Sequence, residues 1–138
     1  MLSSYSSQLN LYQATGTPVL GAILLVEPRP APRESWAHLL STFNIPIQKA
    51  VGYSEVCGLS GSASFSLVAI SLVPSQNEAA KIAEYVRQQW PSAKILLLGR
   101  PPEDCDDPLY DDIVDPTFNS WAFQDTSKRL LMALGANL

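Results

Sequence analysis

Three short apolar runs constrain this chain more than any other feature. AILLVE at 22–27, FSLVAIS at 65–71 and KILLLG at 94–99 are almost unbroken in Ile, Leu, Val, Ala and Phe. A strand that faces water on one side alternates apolar with polar residues. A run without that alternation is expected where both faces of a sheet are covered, as in parallel sheets flanked by helices. Between the runs lie segments with helical spacing: Trp36, Leu39, Leu40 and Phe43 share one side of a first helix, and Ala79, Ile82, Ala83, Val86 and Trp90 one side of another. The latter opens on SQNE, Ser75 to Glu78. That spacing suits a capping box, in which each side chain satisfies the other residue's backbone N–H.

Two weaker strands complete the pattern. IPIQKAV (45–51) reads as an edge strand with Pro46 near its start, where a missing donor does least harm, and YDDIVD (110–115) reads as a fifth strand. A last helix is expected from about Asn119 to Leu134, with Asn119 as its cap, Phe123, Leu130 and Leu134 turned inward, and Gly135 ending it. Strand and helix therefore alternate five times, which argues for an open parallel α/β sheet with helices on both faces. A chain of 138 residues makes one domain. Residues 20–138 carry the pattern. Residues 1–19 are a polar appendage in which Tyr5, Leu9 and Tyr12 fall at helical spacing, so an extra helix and a flexible tail are both open.

Composition bears on partners and compartment. A net charge of -4 gives no basic footprint for nucleic acid or an anionic membrane. No window approaches the ~18 apolar residues of a membrane span. The opening MLSSYSSQLNLYQATG has neither the basic nor the apolar region of a secretory signal, so the expected location is the cytoplasm. Cys57 and Cys105 form neither a CxxC pair nor part of a His/Cys cluster, and are read as free thiols rather than zinc ligands or a redox pair.

In a sheet of this kind, ligands and catalysis sit at the carboxyl ends of the strands. That places Glu27, Ser71, Gly99 and Asp115 around one shallow site. Ser71 has no evident catalytic company: His38, the only histidine, lies beside the apolar stripe of the first helix, and there is no GxSxG elbow. Flavin-binding proteins of this topology use a Ser/Thr/Gly-rich phosphate loop after the first strand, whereas EPRPAPRE is rigid and proline-rich. No cofactor is therefore expected. The stretch EDCDDPLYDDIVD (103–115) holds seven of the thirteen acids but lacks the glycine and terminal glutamate of a calcium loop. A solvated loop, a docking surface for a basic partner and a cation site all remain open for it. With two prolines at 101–102 and little room before Asp115, a helix between the fourth and fifth strands should be short or absent.

With these residues in place, the chain resembles the receiver domain of bacterial response regulators over about residues 20–136. The resemblance implies a flavodoxin-like (βα)5 sheet in the order 2-1-3-4-5, with the fourth helix shortened. In that family the first strand ends in two adjacent acids that hold Mg²⁺, the third in the aspartate that takes the phosphoryl group, the fourth in Thr or Ser, and the fifth in Lys-Pro. Here LLVEPRP puts Glu27 and Pro28 at the acid pair, VAISLVP puts Ser71 at the phosphoacceptor, ILLLGR puts Gly99 at the hydroxyl position, and IVDP puts Asp115 in place of the lysine while keeping Pro116. The interval from Glu27 to Ser71 and the segment KAVGYSEV (49–56) fit the family spacing.

Each departure removes a piece of the phosphoryl chemistry. An aspartate accepts the phosphoryl group as an anion held against a divalent cation, whereas a serine hydroxyl is neutral, a poor nucleophile without a base and a weak Mg²⁺ ligand. Asp115 reverses the charge that would meet a phosphate, and would repel Glu27 unless water or a cation intervenes. Arg29 and Arg100 follow the first and fourth strands closely enough for at least one to fold into the gap.

The expected function is thus a non-phosphorylatable pseudo-receiver, a non-enzymatic protein-interaction module in bacterial signal transduction or regulation. Partners would be proteins, with a homodimer among the options. The resemblance points to the face of residues 103–134, where receivers carry output and dimer contacts. The alternative is a receiver-fold domain that binds a cation or small ligand at the Glu27/Ser71/Asp115 cleft.

Overall fold

A computed structural model of the protein describes residues 21–59, 63–73, 75–100, 110–136 and 138. The appendage read at 1–19 and the segment expected to hold a short helix between the fourth and fifth strands, together with Cys105, lie outside the described residues. The described elements run β1 Ala22–Val26, α1 Pro30–Leu40, a 3₁₀ turn Ser41–Phe43, β2 Ile47–Ala50, α2 Tyr53–Cys57, β3 Phe65–Ser71, α3 Gln76–Gln89, β4 Lys94–Leu98, β5 Asp112–Val114 and α4 Ser120–Met132. The five strands form one parallel sheet in the order β2-β1-β3-β4-β5. This is the doubly wound arrangement that the apolar runs imply.

The three apolar runs occupy the centre of the sheet. All seven residues of β3 are buried, and so are Ile23 to Val26 of β1 and Ile95 to Leu98 of β4. Alternate residues point to opposite faces, which divides the core in two. On one face Leu24, Val68, Ile70 and Ile95 pack against Ile82, Ala83, Val86 and Trp90 of the α3 segment. On the other, Ile23, Leu25, Leu67 and Leu96 pack against Trp36 and Leu40 of α1 and Phe123 and Leu131 of α4. The Phe65 and Trp90 rings meet edge-on, 4.8 Å between centroids, and the Trp90 indole N–H donates to the Ala63 carbonyl at 2.7 Å, so this large ring carries no orphan donor.

The helix signals hold at the starts and shift at the ends. The Ser75 hydroxyl caps α3 by accepting from Glu78 N–H at 3.1 Å, but the reciprocal half of the box is not made. The Glu78 carboxylate turns instead to Tyr53 N–H, 3.3 Å away in the β2–α2 loop. Asn119 caps α4 through Ala122 N–H at 3.0 Å, and Gly135, at φ 99°, lies just past its end. The buried residues of α4 are Phe123, Thr126, Ser127 and Leu131, with Leu130 and Leu134 only partly covered. Both outer strands are shorter than the apolar lettering suggests, because each pairs on one side only.

Among the described residues no helix is long and apolar enough to cross a membrane.

Candidate functional site

β1 pairs with β2 and β3 along its whole length and delivers Glu27 just past its end, where the Glu27 N–H still donates to Ala50 O at 3.0 Å. The chain then turns into α1. Pro30 stands at the first helical position, where its fixed φ suits the helix and its missing N–H leaves no orphan. Arg29 is therefore the N-cap residue, yet its side chain makes no cap bond. It folds back over the strand end.

Glu27 is fully buried. Its Oε2 accepts from the Arg29 backbone N–H at 2.8 Å and from Nε at 3.1 Å, and its Oε1 accepts from Nη2 at 2.8 Å. Burial pushes the Glu27 carboxyl up. The Arg29 side chain and backbone hydrogen bonds, the Ser71 hydroxyl and the Arg29 charge together outweigh burial and hold the carboxyl below its ordinary value of 4.5. Arg29 in turn is raised, chiefly by its hydrogen bond to Glu27. The Arg29 guanidinium also stands 5.8 Å from the centre of the Trp36 ring, so two helical turns later an aromatic face helps to hold it in place.

Arg33, not singled out by the sequence pattern, reaches the same loop from the first turn of α1. Its Nη1 donates to the carbonyls of Glu27 at 3.0 Å and Pro28 at 3.3 Å. The signal that could have found it is its place four residues after Arg29, one turn along the same helix face.

Ser71 closes β3, is 5% exposed, and accepts from Val73 N–H at 3.1 Å. Its hydroxyl is thus engaged between the turn that follows β3 and the Glu27 carboxylate. Gly99, at the end of β4, has φ 145°, a conformation that L side chains rarely adopt. A Cβ there would stand 3.1 Å from Leu72 Cδ1 and 3.2 Å from Leu72 Cβ. The position that the resemblance assigns to a hydroxyl residue is closed to one by backbone and neighbour alike.

Asp115 turns away from this cluster. Its Oδ1 accepts from Thr117 N–H at 3.0 Å and its carbonyl from Phe118 and Asn119 N–H, which builds the turn into α4. Among the described residues no hydrogen bond or ion pair joins Asp115 to Glu27, Ser71 or Arg100. Arg100 stacks over Phe118 at 5.3 Å from the ring centre. Pro28 is half-buried and Pro116 buried. His38 is exposed towards the end of α1. The described acids of the 110–115 stretch are also committed. Asp111 Oδ2 accepts from Arg87 Nη2 at 2.9 Å and from Ile95 N–H at 2.8 Å, and Asp112 lies 3.6 Å from Arg129.

A Mg²⁺ ion, which the resemblance would bring to this place, does not fit the residues present. Of the acid pair and the phosphoacceptor, only Glu27 is a carboxylate, and both of its oxygens are taken by Arg29. A cation that needs several oxygen ligands finds a guanidinium in its position. Among the described residues, no group of three or more His, Cys, Asp or Glu side chains is placed to hold a metal.

No family model matches the sequence, and no curated protein matches it. Solved structures do. The signal receiver domain of an HD domain-containing protein from Pseudomonas fluorescens Pf-5 superposes with a TM-score of 0.73 at 18% identity, covering 86% of this chain and 100% of that one. The response regulator TrrA from Thermotoga maritima, in complex with Mg²⁺ and beryllium fluoride, gives a TM-score of 0.68 at 24% identity, over 80% of this chain and 99% of that one. TrrA in complex with the histidine kinase ThkA gives 0.67 at 24%, over 81% of this chain and 99% of that one. The fold is therefore the flavodoxin-like fold of receiver domains.

Proposed function

We propose that this chain is a non-phosphorylatable pseudo-receiver that serves signal transduction by presenting a fixed surface to a protein partner. The observation that carries the proposal is the Glu27 carboxylate, fully buried and held on both oxygens by Arg29. Where a receiver would gather a cation and a phosphoryl group, this protein has an internal ion pair, a serine tied into its own turn and a glycine that admits no hydroxyl side chain. An internal counter-ion is always present, so the strand ends are held in one state without an external ligand.

The same contacts argue against catalysis by Ser71. Its one neighbouring carboxylate, Glu27, is already held on both oxygens by Arg29, and His38 sits on the exposed side of α1. They also weigh against a cation or small ligand between Glu27, Ser71 and Asp115, since Arg29 occupies one carboxylate and the α4 turn engages the other. A protein partner is supported by the TrrA complex with its kinase. The face of residues 103–134 offers Phe118 and Trp121, 73% and 69% exposed, as apolar contacts for a partner or a second copy.

The test is a titration with Mg²⁺ and beryllium fluoride, followed by tryptophan fluorescence and by amide shifts around Glu27 and Ser71. The expected result is no saturable change. A saturable response centred on those residues overturns the proposal.

A further inference from the structure

A second concavity adjoins the Glu27 cluster, sharing Pro28 with it. The β2–α2 loop and the first turns of α2 and α3 line an open concavity of about 710 Å³, a size suited to a partner's side chain. Two carboxylates bind its walls together. Glu55 Oε1 accepts from Val51 N–H at 2.8 Å, and Glu78 Oε2 accepts from Tyr53 N–H at 3.3 Å. Gly52 lies between them, and any Cβ there would come within 2.7 Å of Glu78 Oε2, so the loop sequence keeps the carboxylate seated. This is why Glu78 leaves its expected place in the α3 capping box.

Each glutamate thus spends one oxygen on the loop, and its other oxygen accepts no hydrogen bond among the described residues. Neither forms a salt bridge among the described residues. The cation of the cavity, Lys81, has its ammonium 5.8 Å from the centre of the Tyr53 ring. The site therefore holds two negative charges against one positive. Beside these charges the lining includes two exposed apolar surfaces, Val51 at 42% and Tyr53 at 37% exposure. The Tyr53 ring is braced edge-on by Tyr85, 6.3 Å between centroids, which gives the lining a rigid aromatic wall.

We infer that this cavity docks an arginine of a protein partner together with an apolar residue beside it. A guanidinium is planar and delocalised, carries donors in a fork that can meet two carboxylate oxygens, and stacks on an aromatic face. An apolar neighbour would cover Val51. This rests on the proposed function only in taking the partner to be a protein, and it names the surface and the chemistry that the partner must present.

The experiment uses the full chain and two synthetic probes, N-acetyl-leucyl-arginine amide and its neutral citrulline counterpart, with amide shifts as the readout. The arginine probe should shift Gly52, Tyr53 and Glu78 saturably, and the citrulline probe should not. Glu55→Gln and Glu78→Gln keep an acceptor for the loop N–H groups and remove the charge, so each should weaken binding roughly fivefold with the fold intact by circular dichroism. Lys81→Ala, which removes the competing ammonium, should tighten it. Equal binding of the two probes, shifts spread over the acidic residues elsewhere, or no shift overturns the inference. So does methylguanidinium binding as well as the dipeptide, because the apolar lining would then contribute nothing. A beryllium fluoride response alongside arginine binding would defeat the locked-site reading and leave this surface standing.

Discussion

Arg29 and Glu27, two residues apart, are joined by three hydrogen bonds, one from the arginine backbone N–H and two from its guanidinium. The acid is fully buried and the base half-exposed, with side-chain exposures of 0% and 46%. This asymmetry sets what each substitution does. Arg29→Ala leaves a buried carboxylate without its counter-ion. It should lower stability by about 2 kcal/mol, less than for a pair buried on both sides, and should raise the Glu27 pKa. Denaturant unfolding and carboxyl chemical shifts measure both. An unchanged Glu27 titration in Arg29→Ala would show that the pair is ornamental.

The pair also makes a pH prediction. Glu27 is depressed in the folded protein, so as the pH falls the unfolded chain takes up this proton first. The stabilisation is fully present above the ordinary carboxyl value of 4.5 and is lost as the pH drops through the lower folded value. Glu27→Gln removes that dependence. Its stability should fall less steeply than that of the natural protein over the same acid range, in unfolding curves taken from neutral pH downwards.

Gly99 should resist restoration of the hydroxyl that receivers carry at this point. Gly99→Thr forces a β-branched side chain to φ 145° and against Leu72. A loss of about 2 kcal/mol or more is expected. Gly99→Ala, which adds the Cβ alone, should account for most of it. A neutral Gly99→Thr in thermal unfolding would mean that the strand end relaxes freely.

Ser127 offers a change in the opposite direction. It is fully buried in α4 and its hydroxyl has no hydrogen-bond partner. Ser127→Ala removes an unsatisfied polar atom from the sheet-facing side of the helix and raises helix propensity. Stability should rise by about 1 kcal/mol, read as a higher melting temperature.

The apolar runs, the Ser75 and Asn119 caps and the terminal Gly135 were legible because each is a local pattern, complete within a few residues. So were the strand-end positions of Glu27, Ser71, Gly99 and Asp115, since parallel strands place their last residues on one edge. The spacing of Arg33 after Arg29 was legible but its role was not, because it acts through the Glu27 and Pro28 carbonyls rather than through any residue type that a motif would specify. Nor was Asp111 as a structural acid: nothing near it in sequence announces that Arg87 and Ile95 N–H will meet its carboxylate.

By itself the sequence determined the layers and the residue types that stand at the strand ends, because periodicity and residue type are properties of short segments. Only the tertiary structure decided which partner each polar group takes. Arg29 rather than Arg100 covers Glu27, Asp115 turns to its own loop, and Glu78 crosses to Tyr53. Two of these pairings are local in sequence and one spans 25 residues, yet each depends on how the chain turns after its strand, and for the buried Glu27 the pairing is compulsory: a charge taken out of water must be paired with whatever the fold has brought within reach.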